Sequence, residues 1–372
     1  MPLDLIESFR NPKHIKALAQ EIKKECKSKI NIMEVCGGHT HTIMKYGLPQ
    51  ILPDLIEFIH GPGCPVCVMP KERIDHAIAL ASMDDTILAT LGDMIRVPGS
   101  KTSLQKLRAE GRDVRSLYSP LDVIKIAKEN PDKKVIFFAI GFETTTPMSA
   151  VLLEQTIKLG IKNLYFHINH VLVPEPVEAI VSGGDSKIDA FLGPSHVSVI
   201  TGYGIFEPIV KKYKTPIVVA GFEPVDVMEA VLMTVRQFNE NRVEVENQYK
   251  RAVSKEGNIK AQNLINRYMC KRDHFRWRGL GDIANSALKL RSEYAEFDAE
   301  IVFDEILPKE QIDDHKLCIC GDILKGNAKP FDCKVFGKAC TPNSPMGSCM
   351  VSSEGACAAY YKYGKFIGKG MR

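Results

Sequence analysis

The sequence lacks a strong charge excess, a long apolar run and a dense set of cysteines. Its 372 residues carry 49 Lys and Arg against 45 Asp and Glu, a net charge of +4, which is too small to indicate binding to nucleic acid or to a membrane surface. The longest apolar run, around residues 135–142, is shorter than the roughly 18 residues that a membrane span needs. No basic segment followed by an apolar one is visible at the start, so no secretory signal is predicted. We therefore expect a cytoplasmic protein with no membrane and no nucleic-acid partner.

The eleven cysteines are odd in number and too sparse for a disulfide-stapled secreted scaffold. Four lie in the first 67 residues, none lies between 68 and 269, and seven follow. This placement indicates that the thiols act as reagents or ligands in two regions of the chain. The hydrophobic and charged fractions, 45% and 25%, are those of a globular protein, and the length predicts two or three domains at about 150 residues each.

Short apolar runs that end in Gly-rich loops predict parallel strands covered on both faces. The predicted strands are 30–35, 56–59, 86–91, 134–140, 164–168, 197–201 and 216–220. The tripeptide Gly-Phe-Glu recurs at 141–143 and 221–223, which suggests two similar α/β units. We therefore predict an α/β fold in which two similar parallel-sheet domains, 1–117 and 118–231, surround a cleft. Residues 232–372 are predicted to form connecting helices and a smaller, mainly helical and loop-rich domain.

Ligands of open α/β sheets bind beyond the carboxyl ends of the strands, so the loops that follow the strands are the candidate sites. One loop reads Cys-Gly-Gly-His-Thr-His at 36–41, where helix-start amides and the nearby His39 or His41 are expected to lower the pKa of Cys36. Another reads Gly-Pro-Gly-Cys-Pro-Val-Cys at 61–67, a rigid loop expected to be exposed. The spacing of Cys64 and Cys67 suits a redox dithiol and half of a zinc site equally well.

The carboxyl-terminal region holds a second set of thiols at long and irregular spacing. Structural zinc usually uses pairs separated by two to four residues, and the set contains no such pair. Long gaps in a Gly-rich segment favour an iron-sulfur cluster over zinc, and disulfides are not expected in the cytoplasm. The set consists of Cys318, Cys320, Cys333, Cys340, Cys349 and Cys357.

Taken together, these motifs resemble the HypD family of [NiFe]-hydrogenase maturation factors over nearly the whole chain. The resemblance rests on the loops at 36–41 and 61–67, on Gly-Phe-Glu-Thr-Thr at 141–145, and on the spacing Cys-x12-Cys-x6-Cys-x16-Cys from Cys320. It implies a scaffold on which the Fe(CN)2CO group is assembled, with Cys36 as ligand of the transient iron that carries CN and CO, and with His39 tuning or orienting it. Cys64 and Cys67 would form a thiol-disulfide pair. The resemblance also implies that the stretch containing Glu354 is functional.

The resemblance further implies a [4Fe-4S] cluster on Cys320, Cys333, Cys340 and Cys357. The implied partners are a HypC-type small chaperone that shares the iron, a HypE-type donor that carries cyanide as a thiocyanate, and an electron donor of unknown identity. The cluster and the dithiol together would supply electrons for the transfer of cyanide to iron.

Two other functions fit parts of the pattern. A stand-alone iron-sulfur thiol-disulfide oxidoreductase explains the dithiol and the cluster, but has no use for a third thiol at Cys36. A zinc and iron-sulfur protein that binds nucleic acid would need a basic surface that the composition barely supports. Whether the chain is an enzyme or an assembly scaffold with redox activity stays open at this point.

Overall fold

The structure is a computed structural model that describes residues 5–183, 186–313 and 315–364. Its strands, numbered along the chain, are β1 (Ile30–Glu34), β2 (Ile56–His60), β3 (Thr86–Leu91), β4 (Asp113–Leu117), β5 (Lys134–Gly141), β6 (Leu164–His170), β7 (Ala190–Pro194), β8 (Ile217–Ala220), β9 (Val245–Asn247), β10 (Met269–Lys271), β11 (His274–Trp277), β12 (Gly281–Ala284) and β13 (Leu288–Leu290).

The helices of the described residues cover both faces of the sheets and fill the connections between strands. They are α1 (Leu5–Arg10), α2 (Pro12–Glu25), α3 (Gly37–Lys45), α4 (Leu48–Ile51), α5 (Pro65–Val68), α6 (Lys71–Ser82), α7 (Leu104–Ala109), α8 (Asp122–Glu129), α9 (Thr146–Lys158), α10 (Pro174–Ser182), α11 (Ser195–Thr201), α12 (Glu207–Tyr213), α13 (Pro224–Asn239), α14 (Ile259–Tyr268), α15 (Ala299–Val302), α16 (Cys320–Leu324) and α17 (Ala356–Tyr363). In this part of the chain no helix is both long enough and apolar enough to cross a membrane.

Two parallel sheets form the frame of the molecule. The first has the order β2-β1-β7-β8-β9, and the second has the order β4-β3-β5-β6. All neighbours within each sheet pair in parallel. The central strand β5 is buried at every position except Lys134, as expected of a strand with helices on both faces. The predicted fold class, with two parallel-sheet α/β units, is therefore confirmed.

The division of the chain at residues 117 and 231 stays a prediction, and strand pairing crosses the first of these limits twice. β7 pairs with β1 in one sheet, and β5 pairs with β3 in the other. The first sheet thus takes strands from both ends of the α/β region, while the second is built from the segment between them.

One predicted strand is wrong. Residues 197–201 form the end of α11, and the strand at this place in the sheet is β7, directly before it. The hydroxyls of Ser198 and Thr201 donate to the carbonyls of Pro194 and Val197, 3.1 Å away in each case, so the polar groups are satisfied inside a helical turn. The apolar residues of this segment pack equally well on a helix face, so the apolar pattern could not distinguish a helix from a strand here.

The other predicted strands are present, but β4, β9 and the short antiparallel strands β10–β13 were not predicted. β4 and β9 each lie at one edge of a parallel sheet, and each is only partly buried. A partly buried strand lacks the uniformly apolar pattern on which the prediction relied.

Residues 315–364 are rich in turns and contain α16, α17 and short 3₁₀ segments. α17 packs against α3, and the 3₁₀ turn Ser348–Met350 packs against α5. The segment therefore lies on the loops that follow β1 and β2. Its status as a separate cluster domain stays a prediction.

Candidate functional site

Cys36 lies just beyond the carboxyl end of β1 and is the residue from which α3 begins. Its side chain is buried, with 4% of the residue exposed. The backbone N–H of Cys36 donates to Glu34 Oε2 over 3.0 Å. Its Sγ lies 3.9 Å from each ring nitrogen of His196. The thiol is thus placed at the sheet edge where α/β proteins bind ligands.

The expected low pKa of Cys36 is wrong. Burial, reinforced by the carboxyl groups of Glu354 and Glu34, raises the pKa of this thiol well above its usual value. The backbone amides of Gly38 and His39 act in the opposite direction but are outweighed. Desolvation disfavours a thiolate more strongly than two amides at a helix start can favour it.

Cys64 and Cys67 lie together on the loop that follows β2, with Cys64 as the residue from which α5 begins. The backbone N–H of Cys67 donates to Cys64 Sγ over 3.3 Å. The expectation that this loop is exposed is wrong, because the two residues are only 2% and 1% exposed. Burial and the contact with Cys64 raise the pKa of Cys67. The dithiol is therefore enclosed, and the segment 348–350 covers it.

Three segments of the chain are in close contact at these thiols: the loops 36–41 and 61–67 and the segment 348–354. The Gly37 N–H donates to the Gly63 carbonyl over 2.9 Å, and a Cβ added to Gly63 would lie 2.3 Å from the backbone nitrogen of Cys36. A Cβ added to Gly37 would lie 2.3 Å from the Cβ of Glu354. Glycine is required at both positions because two backbones pass in contact.

The third segment also holds the dithiol directly. Ser348 Oγ donates to the Cys67 carbonyl over 2.8 Å, and Cys67 Sγ lies 3.8 Å from the Ser348 carbonyl oxygen. Glu354 is an exposed residue, but partial desolvation of its carboxyl group, followed by the nearby Asp93, raises its pKa. The structure thus brings Cys36, Cys64, Cys67 and Glu354 to one place.

The contacts of the His39 side chain are with the end of β8, and its role towards Cys36 stays a prediction. Its Nε2 lies 3.2 Å from the carbonyl oxygen of Ala220 and 3.1 Å from that of Gly221, and its ring packs on Phe222 at 4.7 Å. Burial lowers the pKa of His39, so the ring is neutral and donates from Nε2. Its contacts fasten α3 to the end of β8.

His196 occupies the place next to Cys36 Sγ that His39 was expected to take. Burial, followed by the nearby His39, lowers the pKa of His196 to about 4. The signal for it was present in the sequence, since Gly-Pro-Ser-His at 193–196 directly follows an apolar run. The run before this motif was not recognised as a strand.

Glu34 is a second functional candidate that sequence reasoning missed. It is fully buried, and its carboxylate accepts from Thr40 Oγ1 and from the Cys36 backbone N–H. His60 Nδ1 lies 2.6 Å from Glu34 Oε1, and the other ring nitrogen of His60 lies 3.2 Å from Tyr360 Oη. This network ties α17 to the loop of Cys36 and holds that loop in place. A single acid in an apolar strand was the available signal.

The carboxyl-terminal thiols gather around Cys357, at the start of α17. Burial raises the pKa of Cys357, and Cys318, Cys340 and Cys333 act in the same direction. The Met346 N–H donates to Cys340 Sγ over 3.4 Å. Several thiols close together, two of them buried, with a backbone N–H that donates to sulfur, are the donor set that an iron-sulfur cluster takes, so the residues fit such a cluster.

Cys320, one of the thiols assigned by resemblance, lies close to this arrangement, since a Cβ added to Gly347 would be 3.8 Å from its Sγ. Its sulfur is in contact with that of Cys349, and the Cα atoms of the two residues are 6.8 Å apart. Cys318 also lies among the other thiols, and a Cβ added to Gly347 would be 2.7 Å from its Sγ. The structure therefore offers Cys318 as well as Cys320 for the fourth position.

Among the residues that the structure describes, no three His, Cys, Asp or Glu side chains are grouped as one metal ion would require. The geometry thus gives no support to a closed zinc site at Cys36, Cys64 and Cys67. Thiolates of a four-iron cluster stand farther apart than the ligands of a single ion, because the cluster lies between them.

Comparison with known proteins decides the family. A family profile, HypD, described as "Hydrogenase formation hypA family", matches residues 13–364. The chain belongs to the HypD family of hydrogenase maturation factors. Among its HypD relatives, the hydrogenase maturation factor HypD of Azotobacter vinelandii is 51% identical over 368 residues, covering 97% of each chain.

Two further HypD relatives match over almost their whole length. The HypD of Cupriavidus necator is 47% identical over 370 residues, covering 97% of both chains. The HypD of Escherichia coli K12 is 44% identical over 365 residues, covering 96% of this chain and 97% of the relative. The resemblance inferred from the motifs is therefore confirmed at the level of the family.

Proposed function

We propose that this HypD-family protein is the scaffold on which the Fe(CN)2CO group of a [NiFe] hydrogenase is assembled. The observation that carries the proposal is the contact of three thiol-bearing segments around Cys36, Cys64 and Cys67, since a Cβ on Gly63 would overlap the backbone of Cys36. A thiol that binds iron and a dithiol that supplies electrons are thereby side by side.

The iron that receives cyanide and carbon monoxide is the substrate in this proposal, and Cys36 is its ligand from this chain. Thiolate is a soft donor that suits iron carrying such ligands. Because burial raises the pKa of Cys36, its proton leaves as the iron binds. His196, neutral and 3.9 Å from Cys36 Sγ, is placed to accept a hydrogen bond from the thiol.

The dithiol balances the electrons of cyanide release. Cleavage of an R–S–CN group to R–SH and cyanide consumes two electrons and one proton. Oxidation of Cys64 and Cys67 to a disulfide releases two electrons and two protons, which leaves one proton over. The hydrogen bond from Cys67 N–H to Cys64 Sγ already holds the two residues in contact.

Cys333, Cys340, Cys357 and a fourth thiolate from the pair Cys318 and Cys320 would hold a [4Fe-4S] cluster. Such a cluster would supply electrons one at a time to restore the dithiol. The segment that carries these thiols also covers Cys67 through Ser348, which supports an electron path between the two sites. The proposed partners are a HypC-type chaperone, a HypE-type cyanide donor and an electron donor.

The test uses a bacterial host that lacks its own HypD-family protein and measures hydrogenase maturation. Ser variants of Cys36, Cys64 and Cys67 are each expected to abolish maturation while the cluster absorbance stays. Cys26→Ser is the matched control, because Cys26 is also buried but ends α2, away from the site. Normal maturation with Cys36→Ser, together with retained reduction of protein disulfides, would instead favour a stand-alone oxidoreductase.

Ligand assignment is tested by iron and sulfide analysis with electron paramagnetic resonance of anaerobically purified variants. Replacement of Cys333, Cys340 or Cys357 by Ser is expected to remove the cluster. Of Cys318→Ser and Cys320→Ser, the one that removes it identifies the fourth ligand. An intact cluster in Cys333→Ser would overturn the assignment, and so would stoichiometric zinc without labile sulfide in the unaltered protein.

A further inference from the structure

A cavity of about 250 Å³ opens beyond the carboxyl ends of β5 and β6, and shares no lining residue with the site of Cys36. Aliphatic side chains form one part of its wall: Leu172, Ile200, Ile205, Ile265 and Leu288. Its polar end is formed by the Gly-Phe-Glu-Thr-Thr-Thr loop, a motif to which the proposed function gives no role. Cavities at this edge of an α/β sheet are the usual ligand sites of such folds.

Glu143 lines this cavity and is 5% exposed. Its Oε1 accepts from the Val173 N–H over 2.9 Å, which a purely structural role would explain. Its Oε2 is buried and has no hydrogen-bond partner among the described residues. A buried carboxylate oxygen without a donor is costly, so a group that enters the cavity and donates to it would be strongly favoured.

A second unpartnered oxygen lies at the same end of the cavity. Glu175, in the first turn of α10, pairs through Oε1 with Lys271 Nζ over 2.6 Å. Its Oε2 is buried without a partner among the described residues. Two carboxyl groups and one ammonium give this end a formal charge of −1 when both acids are ionised.

We infer that this cavity binds an alkylguanidinium, with N–H groups donating to Glu143 Oε2 and Glu175 Oε2 and an aliphatic stem lying along the Leu and Ile wall. Guanidinium suits the geometry because its planar fork offers several donors in fixed directions and accepts nothing. Its single positive charge neutralises the charge of the site. The inference does not depend on the proposed function of the thiols.

Protonation of Glu143 gives the inference a distinctive pH dependence. Burial, aided by Glu175 and opposed by Lys271, raises the pKa of Glu143 to about 8. The other ionisable group at the wall is the Cys270 thiol, while α11 and α14 present only uncharged groups there. A bound cation requires the carboxylate, so binding releases a proton below pH 8. Affinity should then rise about tenfold per pH unit up to pH 8 and level off above it.

The test is isothermal titration calorimetry of the whole protein with n-butylguanidinium chloride, in two buffers of different ionisation enthalpy. We expect one-to-one binding at pH 7 with release of up to one proton, and no binding of the neutral isostere n-butylurea. Glu143→Gln should weaken binding about tenfold or more, because an amide N–H₂ replaces an acceptor. Glu178→Gln is the control on α10, the helix of Glu175, because Glu178 pairs with Lys212 outside the cavity.

A folding defect in Glu143→Gln would be seen as a lowered midpoint of thermal unfolding. In that case the inference is tested by the pH dependence of the affinity of the unaltered protein for n-butylguanidinium. Binding of N-acetyl-arginine methylamide as well as n-butylguanidinium would identify a protein side chain as the source of the cation. Binding of n-butylguanidinium alone would identify a small free molecule. Absence of binding at millimolar concentration, equal binding of n-butylurea, or affinity independent of pH between 6 and 8 would overturn the inference.

Discussion

Gly63→Ala is the substitution that most sharply tests whether the two thiol loops form one packed unit. The added Cβ would lie 2.3 Å from the nitrogen and 2.4 Å from the Cα of Cys36. These are backbone atoms, and they are held by the bond from Gly37 N–H to the Gly63 carbonyl. The φ of Gly63 is not in the left-handed region, so backbone strain does not confuse the result.

The magnitude follows from the two interactions that the new methyl disturbs. Overpacking of a tight interior costs about 1–3 kcal/mol, and loss of the loop-to-loop hydrogen bond adds about 1 kcal/mol. We therefore expect a destabilisation of about 2–4 kcal/mol, concentrated at the loop of Cys36.

The assay is amide hydrogen exchange of peptides spanning residues 34–42, with the urea midpoint measured alongside. Gly183→Ala is the control, because its Cβ would meet nothing closer than a carbonyl oxygen at 3.7 Å. Faster exchange at 34–42 in Gly63→Ala, with no change in Gly183→Ala, is the expected result. Equal exchange in both variants would refute the close approach of the two loops.

Two further outcomes follow from burial. Cys36 and Cys67 are buried, and their pKa values are raised. An alkylating reagent should therefore modify the partly exposed Cys270 of the native protein before either of them, as measured by peptide mapping. Equal rates of modification at the three thiols would contradict the enclosed dithiol. Burial lowers the pKa of His170 from 6.5 to about 4. Below pH 6.5 the unfolded chain therefore takes up a proton at this residue that the folded chain does not. The free energy of unfolding should fall by about 3 kcal/mol as the pH is lowered from 6.5 to 4. In His170→Gln the slope of the unfolding free energy against pH between 4 and 6.5 should decrease by the equivalent of about one proton. Substitution of the exposed His14 by Gln should leave this slope unchanged.

The sequence predicted the central strands well because both faces of each are covered. β3 and β5 consist mostly of apolar residues, and such runs leave few other structures open. The strands β4 and β9 could not be predicted in this way, since each is only partly buried. At 190–201 the strand was predicted in the segment that forms α11 and was missed in the segment that forms β7, because apolar residues occur in both elements.

The candidate site was predicted in its residue types but not in its arrangement. Cys36, Cys64 and Cys67 could be found because each follows a predicted strand. The replacement of His39 by His196 beside Cys36 could not, since it depends on β7 lying next to β1. Neighbours in a parallel sheet are fixed by long crossovers that a local pattern does not encode.

The pKa values were the least predictable part of the site. An amide-rich helix start suggested a thiolate at Cys36, but burial, followed by the carboxyl group of Glu354 more than three hundred residues later in the chain, raises the pKa instead. The same long-range packing turns the expected exposed loop of Cys64 and Cys67 into an enclosed one.

Infrared spectroscopy of the protein copurified with its HypC-type chaperone tests the central claim most directly. Cyanide and carbonyl stretching bands should be present with the unaltered chain and absent with Cys36→Ala, while the cluster signal survives in both. Bands that persist unchanged in Cys36→Ala would show that the iron is held elsewhere, and would contradict the assembly of the Fe(CN)2CO group on this loop.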